Sequence, residues 1–265
     1  MVQAPGTQHS IIDLEDGWLT IWFNRPEKRN ALSNKLLGEI LNALESVHDD
    51  RSVRGILLRG KGSIFCAGAD LEELKKITSS KHVSKNLAFK MSTQIGKVFE
   101  QIRKAPQITI SAVEGPAMAG AFGIACASDI LIAMSDARFA LTETKLGLTP
   151  AQIAPHVLGR LGFTQARKLM LLGDAFDGKK AFDMGMVDYL AETESELNRL
   201  IQDIKTKVKN CAPKAVATTK KLIAKAYPGI DIKHAAELFS DCVVHDEGRE
   251  GLSSFFDKRK PSWSL

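Results

Sequence analysis

Apolar residues recur along the chain with two periods, and the alternation between them divides it into strand, loop and helix units. Residues 18–23, Trp-Leu-Thr-Ile-Trp-Phe, alternate enough for a strand, and the polar connection 24–30 that follows is broken by Pro26 and gathers positive charge. From Ser33, a candidate N-cap, Leu36, Leu37, Ile40, Leu41, Leu44 and Val47 keep helical spacing as far as Asp49-Asp50. Residues 53–58 read as a buried strand. Asp70 then stands where it can cap a helix carrying Leu71, Leu74 and Ile77. The Ser/Lys-rich stretch 78–85 is expected to be a mobile loop over a pocket, ahead of a long helix with Leu87, Met91, Ile95, Val98, Phe99 and Ile102 on one side.

The stretch 108–132 organises the rest. It opens as a short apolar strand, 108–113, turns at Glu114-Gly115-Pro116, and continues into a helix whose residues between Ala117 and Ala127 are nearly all small. The first N–H groups of a helix lack internal partners, so a start at Gly120 can donate to a negative oxygen; small residues there also suit close packing alone. Residues 129–133 and 137–140 read as two more strands, with Glu143 between them and a turn. Residues 163–171 and 179–184 read as helices and 187–190 as a strand. From Ser195 the chain is helical, with breaks at Pro213 and Tyr227-Pro228-Gly229. The expected class is therefore α/β: successive strand-strand-helix units over residues 1–194, then a helical region over 195–265.

Composition narrows the class. A chain of 265 residues, 44% hydrophobic and 25% charged, builds a substantial core and excludes disorder. No run approaches the ~20 apolar residues of a membrane span, and the first residues lack a targeting pattern, so a cytoplasmic location and no membrane partner are expected. Cys66, Cys126, Cys211 and Cys242 are far apart, and the six histidines lack metal-ligand spacing, so no metal is expected. The net charge of +5 suits an acidic ligand, but bases and acids are interleaved, and nucleic acid is not an expected partner. The Walker loop fails because Ala121 and Phe122 follow Gly120, and no dinucleotide fingerprint, zinc-protease motif or nucleophile elbow occurs.

Taken together, Phe65-Cys66-Ala67-Gly68-Ala69-Asp70-Leu71, the helix entry at Gly120 and the carboxylate of Glu143 resemble the enoyl-CoA hydratase/isomerase (crotonase) superfamily. The likeness extends to residues 24–32, to Val113-Glu114-Gly115-Pro116-Ala117, and to Glu250-Gly251 and residues 255–261. It implies a crotonase-like spiral of strand-strand-helix units and a C-terminal region that forms a homotrimer, often doubled to a hexamer. It also implies an acyl-CoA thioester substrate, with no cofactor beyond that CoA, and a place in fatty acid metabolism. In the family, two backbone amides stabilise the thioester enolate; by resemblance these are Ala69 and Gly120. Glu143 matches the proton-transferring glutamate. Arg25, Lys28 and Arg29 match positions that meet the nucleotide, with Ala31, Ala67, Gly68, Asp70 and Leu71 bordering the adenine and thioester. Phe255 and Lys258 match positions where a neighbouring subunit reaches over the cofactor. Phe122 and Leu148, with Met118, Leu141 and Ile153, are expected around the acyl tail.

One departure matters. Hydratases with two glutamates carry the other on the central helix, at the position occupied here by Gly123. Three readings follow: a single-glutamate hydratase, similar in pattern to bacterial hydratases of 3-branched glutaconyl-CoA; a Δ3,Δ2-enoyl-CoA isomerase, for which one base suffices; and a non-catalytic acyl-CoA or RNA binder.

Overall fold

In the computed structural model, which describes residues 8–79, 84–226 and 231–262, parallel strands are laid side by side by helical crossovers. The first hairpin pairs β1 (Ser10–Glu15) with β2 (Trp18–Phe23). A short 3-10 turn (Pro26–Lys28) leads to α1 (Asn34–Ser46), which Ser33 caps by accepting the Leu36 amide. Next come β3 (Gly55–Gly60), α2 (Leu71–Ser79), α3 (Ser84–Lys104), β4 (Ile108–Val113), β5 (Pro116–Met118), α4 (Gly120–Ala127), β6 (Ile130–Met134) and β7 (Arg138–Ala140). A 3-10 turn (Glu143–Leu146) separates β7 from α5 (Ala154–Leu172), followed by β8 (Ala175–Asp177), α6 (Gly178–Asp183) and β9 (Tyr189–Ala191). Among the described residues four helices follow: α7 (Glu194–Lys209), α8 (Pro213–Ala226), α9 (Ile232–Val244) and α10 (Asp246–Phe256).

The larger sheet has the order β1-β2-β3-β4-β6-β9, parallel except at the first hairpin; the smaller has the order β5-β7-β8. Both faces of the larger sheet are covered, as a parallel sheet requires. Ile21, Phe23, Ile56, Leu58 and Val113 point into the main core with α1, α3 and α4, while Trp18, Leu57, Ile110 and Ile132 meet Leu197, Ile201 and Ile204 of α7. Beyond α7, α9 lies along α3, and α10 lies on the turn that carries Glu143.

The structure departs from the periodicity where elements are short. The sequence reading has no counterpart for β1, β5 or β8: three residues, as in β5 and β8, cannot display a period, while the six residues of β1 form an edge strand in which only Ser10 is fully buried. Helix α5 begins nine residues earlier than expected and kinks at Gly162 (φ +68). Of the loop expected at 78–85, the first two residues belong to α2 and the last two to α3, while 80–83 lie outside the described residues, as does the break at 227–229. No helix among the described residues is long and apolar enough to cross a membrane.

Candidate active site

Three loops meet at the start of α4. The segment 66–69 is tied to β5 by an isolated parallel bridge, Cys66 to Ala117, and to the loop before α1 by another, Leu32 to Ala69. In the second bridge, Leu32 N donates to Gly68 O (2.8 Å) and Asp70 N donates to Leu32 O (3.3 Å), which turns the Ala69 amide to the opposite side. The Leu32 side chain also approaches Gly120, where a Cβ would stand 3.0 Å from its Cδ1. Ala69 and Gly120 thus flank one residue, both are half-buried, and neither amide donates a hydrogen bond among the described residues. Gly68 (φ +91) lets the two turns close on each other: a Cβ there would meet Met118 O at 2.9 Å.

Strain accompanies this junction. Ala119, the residue before α4, has φ +50 and ψ −117, a conformation that an L-residue holds only under external constraint. The constraint is visible: the Ala119 amide donates to Ala140 O (2.9 Å), which fastens the end of β7 to the start of α4. Three residues beyond Ala140 comes Glu143. Its side chain is buried, its Oε2 has no hydrogen-bond partner, and burial, opposed only by its own amide, raises its pKa from 4.5 to about 7.

The place of the missing second carboxylate is filled. A Cβ on Gly123 would lie 2.6 Å from Phe99 Cζ and 3.1 Å from Ile153 Cγ1, and Phe99 in turn packs edge-on against His156, ring centroids 5.3 Å apart. The obstacle to a side chain at 123 is therefore the protein's own core. The Phe122 ring points into an aromatic cluster with Phe139 and Phe176, and Leu148 is buried among Ile77, Ala88, Val243 and Leu252.

The candidate nucleotide positions divide by exposure. Arg25 is buried, donating through Nη1 to Ala31 O and to Asp70 Oδ2, both at 2.8 Å. Burial alone would raise the Asp70 carboxyl, but Arg25 and the Glu72 amide outweigh it and hold it below the ordinary carboxylate range. Asp70 thus caps α2, as the sequence indicates, and anchors Arg25 as well. Lys28 and Arg29 are exposed, Lys28 pairing with Glu72 at 2.6 Å; Ala67 is half-buried, and Leu71 is exposed. Phe255 and Lys258 are exposed at the end of α10, which lies on its own chain. Asn30, missed from sequence, holds this loop together by accepting the Arg25 amide and donating to Lys61 O and Ile64 O. Cys66 is fully buried, its thiol pushed up to about 12 by burial, as suits a packed residue. A separate cleft of about 860 Å³ opens between α8 and the C-terminal end of α4, away from Glu143. No group of three or more potential metal ligands occurs among the described residues.

Unpartnered amides at Ala69 and Gly120 and the buried carboxyl of Glu143 accompany a sequence match to the Enoyl-CoA hydratase/isomerase family over residues 13–265. The chain belongs to this family. The Short-chain-enoyl-CoA hydratase of Clostridium acetobutylicum is 31% identical, covering 94% of this chain and 95% of its own. Methylglutaconyl-CoA hydratase, mitochondrial, of Homo sapiens is 30% identical over 93% of this chain and 74% of its own. Among solved structures, Pseudomonas aeruginosa AtuE is similar with a TM-score of 0.79 and 38% identity, covering 97% of this chain and all of its own. An enoyl-CoA hydratase/isomerase from Marinobacter aquaeolei has the same TM-score with 36% identity, covering 97% of this chain and 99% of its own. The spiral is the crotonase fold, and membership of the enoyl-CoA hydratase/isomerase family makes the protein an enzyme of CoA thioesters.

Proposed function

We propose that this protein is a hydratase, adding water to a 2-enoyl-CoA thioester or removing it from the 3-hydroxy product. The carrying observation is the Glu143 carboxyl, buried, with Oε2 unpartnered and its pKa near 7, on the turn that follows β7, whose last residue is fastened to the start of α4. In the forward direction, ionised Glu143 takes a proton from water as its oxygen bonds to C3 of the substrate. The electron pair of the double bond moves onto the thioester oxygen, where the Ala69 and Gly120 amides stabilise the enolate. The carboxylic acid then returns the proton to C2, so one residue serves both steps. Small residues at 67–69 and 119–120 leave room for the thioester to reach main-chain donors.

The CoA phosphates are proposed to run along the exposed Lys28 and Arg29, with Arg25 holding this loop against α2 through Asp70. A branched glutaconyl thioester is the proposed acyl class, a reading supported by the similarity to Methylglutaconyl-CoA hydratase. Self-association into a trimer or dimer of trimers, in the cytoplasm, is proposed as well. The large apolar side chains left exposed on α5 and α8, Phe163, Leu171, Leu222 and Ile223, support it.

A second reading has its own observation. With Phe99 and Ile153 in the place of another carboxylate, Glu143 is the one acid at this junction that the mechanism uses, and one base suffices to move a proton between C2 and C4 in a Δ3,Δ2-isomerase. Purified protein given 2-enoyl- and 3-enoyl-CoA thioesters is expected to form 3-hydroxyacyl-CoA. A shifted double bond without water uptake would favour the isomerase. Binding without either product would favour a non-catalytic acyl-CoA binder, with a salt-sensitive RNA shift marking the nucleic-acid version.

A further inference from the structure

The 3-10 turn that carries Glu143 ends at Gly147 (φ +67), and α10 begins directly against it: a Cβ on Gly147 would lie 2.5 Å from Glu247 O and 2.9 Å from Gly248 N. Further along α10, a Cβ on Gly251 would penetrate the carbonyl oxygen of Leu146, the last residue of the turn. Both approaches are backbone against backbone, so no rotamer change can relieve them. A glycine inside a helix costs about 1 kcal/mol relative to alanine; the close seating explains why position 251 carries one. Apolar contacts extend the seam, with Leu146 and Leu148 meeting Val243, Leu252 and Ile77. The end of α10 is fastened by Glu250, which accepts from both Arg259 amines (2.6 and 2.7 Å) and from the Ser262 amide (2.8 Å).

We propose that Gly251 and Gly147 are positioning residues for Glu143, their contact seating α10 on the turn and keeping water from the Glu143 carboxyl. The inference rests on Glu143 being the proton carrier. Burial is what raises this carboxyl; no charged group contributes from the turn (Lys145), from α10 (Asp246, Glu247, Arg249, Glu250) or from α5 (His156, Arg160, Arg167, Lys168). Admitting water is therefore the way to return it toward 4.5.

The test reads the carboxyl directly, without substrate. In protein labelled with 13C at glutamate carboxyls, the Glu143 signal is identified by its absence in Glu143→Gln and is expected to titrate near 7. In Gly251→Ala it is expected to titrate lower by about one pH unit or more, and the acidic limb of the kcat/KM profile should follow. Gly178→Ala, whose Cβ would strike Met134 O and no atom of the turn or of α10, serves as the control: lower thermal stability with an unmoved titration. Should Gly251→Ala fail to fold, Glu250→Gln loosens the end of α10 and should shift the signal in the same direction by less. A folded Gly251→Ala that still titrates near 7, or an equal shift in Gly178→Ala, overturns the proposal. A titration that moves while the rate profile stays put supports the role of the contact in excluding water and overturns Glu143 as proton carrier.

Discussion

At pH 8 the Glu143 carboxylate is charged where nothing but its own amide compensates it, and this has a thermodynamic signature separate from catalysis. Its folded pKa, about 7, lies above the ordinary 4.5, so below 4.5 it is protonated in both states and costs nothing. Between the two values the folded state binds more protons, and stability falls as pH rises; above 7 the full cost, about 3 kcal/mol, is present. Glu143→Gln is therefore expected to be more stable than the parent at pH 8 and indistinguishable at pH 4, read by urea unfolding, while turnover drops ~10²- to 10⁴-fold. Gly123 makes the opposite case. Gly123→Ala should cost about 1–3 kcal/mol by overpacking against Phe99 and Ile153, and Phe99→Leu in the same protein should return part of that loss. A glutamate restored at 123 would meet the same wall.

At the scale of elements, the site depends on how α4 begins. Its short apolar run of small residues has little amphipathic character, its first amide is free as at any helix start, and the residue before it, Ala119, is held in a positive-φ conformation by β7. Ala119→Gly should relieve about 1 kcal/mol of strain with turnover preserved, since the Ala119 amide bond to Ala140 remains. Replacing Gly120 or Ala69 by proline removes one N–H each and should lower kcat/KM about 10²- to 10³-fold, equivalent to ~2.7–4 kcal/mol, whereas Ala69→Gly keeps the donor and most of the rate. Circular dichroism checks that each variant is folded. The small-residue stretch and the Gly120 helix start were readable along the chain. The strain at Ala119 was not, because it comes from a hydrogen bond to a strand some twenty residues away.

For the whole molecule, the exposed apolar residues of α5 and α8 are expected to be covered by other copies: sedimentation should give three or six chains, and Leu222→Ser with Ile223→Ser should weaken the assembly without changing the pH profile of turnover. What the sequence determined by itself is local and periodic: the strand-helix alternation, the Ser33 and Asp70 caps, the apolar faces of α1 and α3, and the motifs that name the family. Those depend on neighbours within a few residues. Tertiary structure alone decided that Arg25 turns inward onto Asp70, that Phe99 and Ile153 close the space at Gly123, and that α10 seats on the turn of Glu143. Each joins residues from 24 to more than a hundred positions apart, and burial and backbone approach are properties of the packed chain, without a periodic signal in the order of its residues.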